Sequence, residues 1–121
     1  SEMNPLPPER LPAPHIHALL TQLGLTSNYT GFYHTAAALE LALRKPQALC
    51  LVTKWIYPAV GRYCHTSAFA VEKSIRLSAA RIWKAAPQKL SELSGVPLTK
   101  RPSNAVFLSI LYSYLADRPS G

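Results

Sequence analysis

From about residue 15 onward, apolar residues recur along this chain at helical spacing. Ile16, Leu19, Leu20 and Leu23 follow the i, i+3, i+4, i+7 rule and predict a first helix over 15–23, with Gly24 as its left-handed cap. A polar loop over 26–31 leads to a second helix over 31–43, whose stripe is Phe32, Ala36, Leu39 and Leu43. Its run Ala36, Ala37, Ala38 allows close helix packing, and Arg44 and Lys45 complement the negative end of the helix dipole. Pro46 restarts a third helix carrying Ala48, Leu49, Val52 and Ile56. That helix is expected to stop at Tyr57, because Pro58 disfavours helical geometry in the residue before it.

Pro58 then opens a short helix, where its missing N–H has no intrahelical partner. Its Gly61 costs roughly 1 kcal/mol of helix propensity relative to alanine, which points to a close approach by the second helix of the pair that Pro58 opens. After a tight polar turn, His65-Thr66-Ser67, in which Thr66 or Ser67 can supply the cap, a longer helix runs to about Lys84. At about 100° per residue, Val71, Ile75, Ser78, Ala79 and Ile82 share the face that must be buried. Phe69, Lys73, Arg76, Leu77, Ala80 and Lys84 lie opposite. Two packed helices joined by a short turn, the second with a cationic outer face, describe a helix-turn-helix, whose second helix enters a major groove. An ordinary helical hairpin with a solvated basic face fits the same pattern. Residues 85–102 read as mostly irregular, with at most one helical turn around 88–94 before Gly95. Ser103 or Asn104 caps a last helix over 105–116 with Phe107, Ile110, Leu111 and Tyr114 as its core stripe. Leu108, Tyr112 and Leu115 add apolar surface on its other faces and hint at a partner. No strand pattern with hairpin turns occurs, so the fold class is all-α with about six helices.

Composition adds function classes to this outline. At 121 residues, 48% apolar and 16% charged, the chain forms one globular domain rather than a disordered segment. Thirteen Lys and Arg against six Asp and Glu give +7, and within 44–101 eleven basic residues face two acidic ones, a net of +9. Such a surface suits a polyanion. Residues 1–14 hold five prolines and read as an extended arm or linker ahead of a helix-turn-helix DNA-binding domain over 15–121. No apolar run is long enough to span a bilayer and no signal peptide is visible, so a cytoplasmic location without a membrane partner is expected. Cys50 and Cys64 are expected as buried free thiols in a reducing compartment. Gly-rich phosphate loops, Cys-x-x-Cys and His-Glu-x-x-His are missing from the sequence. His15 and His17 point about 200° apart on a helix, and Cys64-His65 reads as a core cysteine followed by a turn histidine. No enzyme activity, cofactor, metal or small-molecule substrate is therefore expected.

From Val52 to Val60 the chain reads Val-Thr-Lys-Trp-Ile-Tyr-Pro-Ala-Val. Thr53-Lys54, two residues, Tyr57-Pro58 and an apolar Val60 make this stretch resemble the C-terminal DNA-binding domain of stage 0 sporulation protein A, a response-regulator family. Thr66, Val71, Glu72, Ile75, Arg76 and Trp83 fall in step with that family's recognition-helix region. Ile16-His17, Leu23-Gly24, Gly31-Phe32-Tyr33, Lys100 to Asn104 and Phe107 extend the likeness over about 15–116. The resemblance implies a six-helix effector domain that binds DNA as a dimer, in tandem, at short promoter boxes. It also implies a phosphorylation-controlled receiver domain upstream, with the proline-rich arm in the place of the interdomain linker. The recognition helix departs from the family pattern: Ala70 and Lys73 stand where arginines are usual and Leu77 where a histidine is usual. Lysine cannot reproduce arginine's two-pronged contact to guanine.

The reading is therefore a sequence-specific DNA-binding transcriptional regulator with double-stranded DNA as partner, a homodimer formed on DNA being left open. Arg76 and Lys73 would face bases and phosphates, and Glu72 would accept from a cytosine amine or orient Arg76 as an i, i+4 pair. Ser67 and the helix N-terminus would hold a phosphate, and Lys54, Arg62, Lys84, Lys100 and Arg101 are candidate backbone contacts. Phe69 would meet thymine methyls. The rival reading is a protein-interaction module on the same scaffold, with Phe69 and Leu77 as its anchors.

Overall fold

The computed structural model describes residues 12–118, and all regular structure among them is helical. Helix α1 spans Pro14–Gln22, α2 Thr30–Arg44, α3 Tyr57–Tyr63, α4 Ala68–Ala85, α5 Pro87–Ser94 and α6 Asn104–Ala116. Between α2 and α3 the chain winds through a tight 3-10 segment, Pro46–Leu51, and a wide π segment, Val52–Ile56. Six α-helices without a strand among the described residues agree with the all-α class. Of the expected proline-rich arm over 1–14, residues 1–11 lie outside the described residues. Its last members belong to the fold: Pro12 is buried, the Ala13 N–H donates to the Glu40 carboxylate at 3.3 Å, and α1 starts at Pro14.

Helix α2 is the centre of the domain and packs against α1, α3, α4, α6 and the 3-10 segment. The sequence stripe of four residues is too narrow for it, since Gly31, Phe32 and every residue from His34 to Leu39 are buried, with Ala42. Alanines on several sides let neighbouring helices approach closely, which explains why so much of the helix is enclosed. Two polar side chains, His34 and Thr35, go inside with it. Burial pushes the His34 imidazole below its ordinary pKa, favouring the neutral ring, and its Nδ1 lies 2.5 Å from the Ser74 hydroxyl on α4. Where α2 and α4 cross, only a glycine fits. A Cβ on Gly31 would lie 2.0 Å from Ser78 Oγ and 2.7 Å from the Ser74 carbonyl oxygen.

The α1 cap is as read: Gly24 has φ 95°, and the Leu25 N–H donates back to the Leu20 carbonyl at 2.9 Å. Three other expectations are corrected. First, the helix after Pro46 does not stop at Tyr57 but runs on into α3. Tyr57 is itself helical, and its N–H reaches five residues back to the Val52 carbonyl. The widened turn comes just before Pro58, whose ring would crowd an ordinary helical carbonyl. Because neither the 3-10 nor the π segment has 3.6 residues per turn, the helical projection fails there. Ala48 and Ile56 are buried, Leu49 and Val52 only partly, and Cys50 is exposed rather than buried as expected. Second, 87–94 is a complete helix of two turns, closed by Gly95 at φ 81° and seated on Leu90, which is fully buried. Third, α6 offers less partner surface than its composition suggests. It lies against α2, α4, α5 and the 3-10 segment, so Leu108 and Leu115 join Phe107, Ile110 and Leu111 in the core.

Candidate nucleic-acid interface

The helix pair α3–α4 is built by local sequence signals that act together. α3 ends with His65 in the left-handed region at φ 58°, a place more often taken by glycine. The Thr66 N–H donates to the Gly61 carbonyl at 2.8 Å and the His65 N–H to the Arg62 carbonyl at 3.4 Å, which closes the helix end. Gly61 is there because a Cβ would meet the Thr66 carbonyl oxygen at 2.8 Å and the Ala68 nitrogen at 3.2 Å. The returning turn itself, more than the helix beyond it, requires the glycine. Ser67 is the cap of α4, its Oγ accepting from the Ala70 N–H at 3.0 Å. Helix α4 then buries Val71, Ile75, Ser78, Ala79 and Ile82, the face its periodicity predicts.

The outward face is left to solvent. Phe69 is 74% exposed and Leu77 51%, with Lys73 and Arg76 exposed beside them. Glu72 and Arg76 form the i, i+4 pair anticipated from their spacing, Arg76 Nε lying 3.2 Å from the Glu72 carboxylate. On a surface of this exposure the pair contributes about 0.3–0.5 kcal/mol to the helix, so its consequence is orientation rather than stability. Arg101 joins this group from the loop before α6, its Nη1 donating to the Arg76 carbonyl at 3.5 Å. Glu72, Arg76 and Arg101 are thus brought together by the fold.

The remaining sequence-selected cations are exposed but spread over other segments. Lys54 lies on the π segment, Arg62 on α3, Lys84 in the last turn of α4 and Lys100 beside Arg101. Lys84 shares the outward direction of Lys73 but sits eleven residues, about 16 Å, further along the helix. Arg81 holds its guanidinium 3.8 Å from the Tyr29 ring, so it ties α4 to the α1–α2 loop. Lys45 similarly lies over Trp55 at 5.5 Å.

Two contributors were invisible in the sequence as parts of this site. Asn104, the first residue of α6, donates through Nδ2 to Tyr57 Oη and to the Glu72 carbonyl, both at 3.1 Å. The three residues are separated by 32 and 47 positions along the chain, so no spacing could have joined them. Burial raises the pKa of the Tyr57 hydroxyl. The bond from Asn104 opposes that rise, and the Glu72 charge adds to it. At the end of α3, Cys64 is half-buried rather than buried as expected, and burial pushes its thiol up to about 11. That shift favours the protonated thiol at neutral pH.

Among the described residues no cluster of three or more His, Cys, Asp or Glu could hold a metal ion, and no helix is long and apolar enough to cross a membrane. A family model described as sporulation initiation factor Spo0A C terminal matches residues 16–115.

Proposed function

This chain belongs to the family of the sporulation initiation factor Spo0A C-terminal domain, and from that premise we propose that it reads a specific duplex DNA sequence through α4. The family's domain is the DNA-binding part of a sporulation regulator, a regulatory rather than a catalytic unit. The observation that carries the proposal is the outward face of α4. It is capped, rigidly seated on its buried side, and presents Phe69, Lys73 and Arg76 in its first three turns. Residues at the start of a recognition helix are those that reach base edges. In this reading Lys73 meets a base or phosphate, Arg76 is held towards the groove by Glu72, and Phe69 packs on a thymine methyl. Ser67 and the α4 N-terminus take one phosphate, while Lys54, Arg62, Lys84, Lys100 and Arg101 take others. Transcriptional control at tandem boxes, with two copies assembling on DNA, belongs to the same reading.

The exposure of Phe69 and Leu77 favours one competing reading, a protein partner seated on the same face. Titration of labelled duplex DNA over a range of salt separates the two. Neutralising about six phosphates gives a log–log slope near roughly −5. Arg76→Ala should weaken the preferred sequence by about 1–3 kcal/mol and relax preference at one position, whereas Lys100→Ala should weaken all sequences alike. Lys100 is a cleaner control than Arg101, which touches the recognition helix itself. Absence of binding at low salt would reject the DNA reading in favour of the protein partner.

A further inference from the structure

Asn104 joins three elements with one amide: α6, on which it sits, the start of α3 through Tyr57, and the recognition helix through the Glu72 carbonyl. Each of the two bonds takes one amide hydrogen, so the donor capacity of the side chain is fully used. The Glu72 carbonyl belongs to the interior of α4, and the amide occupies the second lone pair that the helical ladder leaves open. One turn further on, Arg101 donates to the Arg76 carbonyl. Two donors from the segment entering α6 therefore grip one edge of α4 at carbonyls four residues, about 6 Å, apart. The residues gripped, Glu72 and Arg76, are the partners of the ion pair on that edge.

Apolar packing alone does not fix how far a helix is rolled about its axis. The inner face of α4 is mostly apolar, with Ser78 and Ala79 at its crossing with Gly31 and one polar bond towards α2, between Ser74 and His34. Burial of the apolar part is non-directional, so the Gly31 crossing and the Ser74–His34 bond hold α4 on its α2 side, and the edge towards α3 and α6 is set by other contacts. Hydrogen bonds are directional and weaken steeply as their angles open. We propose that Asn104 is a positioning residue for sequence discrimination: its paired bonds set the roll of α4 and so the direction in which Phe69, Lys73 and Arg76 leave it. This rests on the reading of α4 as the DNA-recognition helix. Contacts to phosphates tolerate a small roll because flexible lysines follow it, whereas contacts to base edges need their geometry.

The test uses the consensus that the wild-type chain selects from a pool of randomised 20-base-pair duplexes, with a mixed-sequence duplex as reference. Asn104→Leu keeps nearly the shape of the side chain and removes both donors. It should lower the ratio of specific to non-specific affinity about tenfold, leaving affinity for the mixed duplex, its salt slope and the melting temperature close to wild type. Tyr57→Phe should lower the ratio less, because the bond to Glu72 survives. Should Asn104→Leu fail to fold, Asn104→Ser, too short to reach both partners, carries the same comparison. An unchanged ratio overturns the proposal, and so does an equal loss on both duplexes that tracks a lower melting temperature. A wild-type chain that selects no consensus removes the DNA reading and this proposal together, an outcome distinct from a selective wild type with an equally selective variant.

Discussion

Along the same four turns of α4, Val71, Ile75, Ser78, Ala79 and Ile82 turn inward and are buried, while Phe69, Lys73, Arg76 and Leu77 turn outward and are exposed. On the inner face nearly every atom has a fixed neighbour, from the Gly31 crossing to the bond between His34 and Ser74. On the outer face, contacts are made to its edge by Glu72, Arg101 and Asn104. One helix therefore carries two independent constraints. The inner face determines whether the domain folds, and the outer face is free to vary in what it binds. This fits a family scaffold that persists beneath an α4 holding Ala70, Lys73 and Leu77 where the family resemblance leads one to expect arginines and a histidine.

The separation can be attacked hardest from the inside. Gly31→Ala places a methyl group against the Ser74 carbonyl, which cannot move without the helix, and should destabilise the fold by about 3 kcal/mol. Urea unfolding would register it, and a loss under about 0.5 kcal/mol would mean that the crossing is looser than the distances say. From the outside, Phe69→Ala should leave stability within about 0.5 kcal/mol and cost about 1–3 kcal/mol of specific DNA affinity. Replacing thymine by uracil in the selected site removes the methyl groups and should reproduce that loss in the wild type but not in the variant. Equal sensitivity of both proteins to uracil would show that the ring does not read methyls.

A smaller effect should come from pH, and again only from the inside. Burial favours the neutral form of His34, whereas in the unfolded chain it titrates near the ordinary histidine value of about 6.5. Below that value the unfolded state binds a proton that the folded state resists. Stability should therefore fall as pH drops from 6.5 towards the folded pKa, and the penalty is complete below it. His34→Gln should flatten this part of the pH–stability curve measured by urea midpoint. A variant with the wild-type slope would show that the slope comes from other groups.

Much of this molecule follows from local pattern. The α4 burial set, the Ser67 cap, the Gly24 cap and the need for a glycine at 61 are all consequences of helical period and backbone sterics, which act over a few residues. The ordered short motifs around Thr53-Lys54 and Tyr57-Pro58 likewise carried the family, because motif spacing is itself a sequence property. Where the helical period changes, the projection fails. The 3-10 and π turns over 46–56 place Cys50 outside and leave Tyr57 inside a continuing helix, against the local preference of a residue before proline. Residues 87–94 read as poor helix because serines, a lysine and a glutamate leave only Leu90 and Leu93 as apolar positions, yet the burial of Leu90 by the rest of the fold secures both turns. The polar interior of α2 and the grip on α4 depend on partners far along the chain: His34 meets Ser74 forty residues on, and Asn104 meets Tyr57 across forty-seven. A side chain's period tells which way it points from its own helix. Only the packing of that helix against the others decides what stands there to meet it.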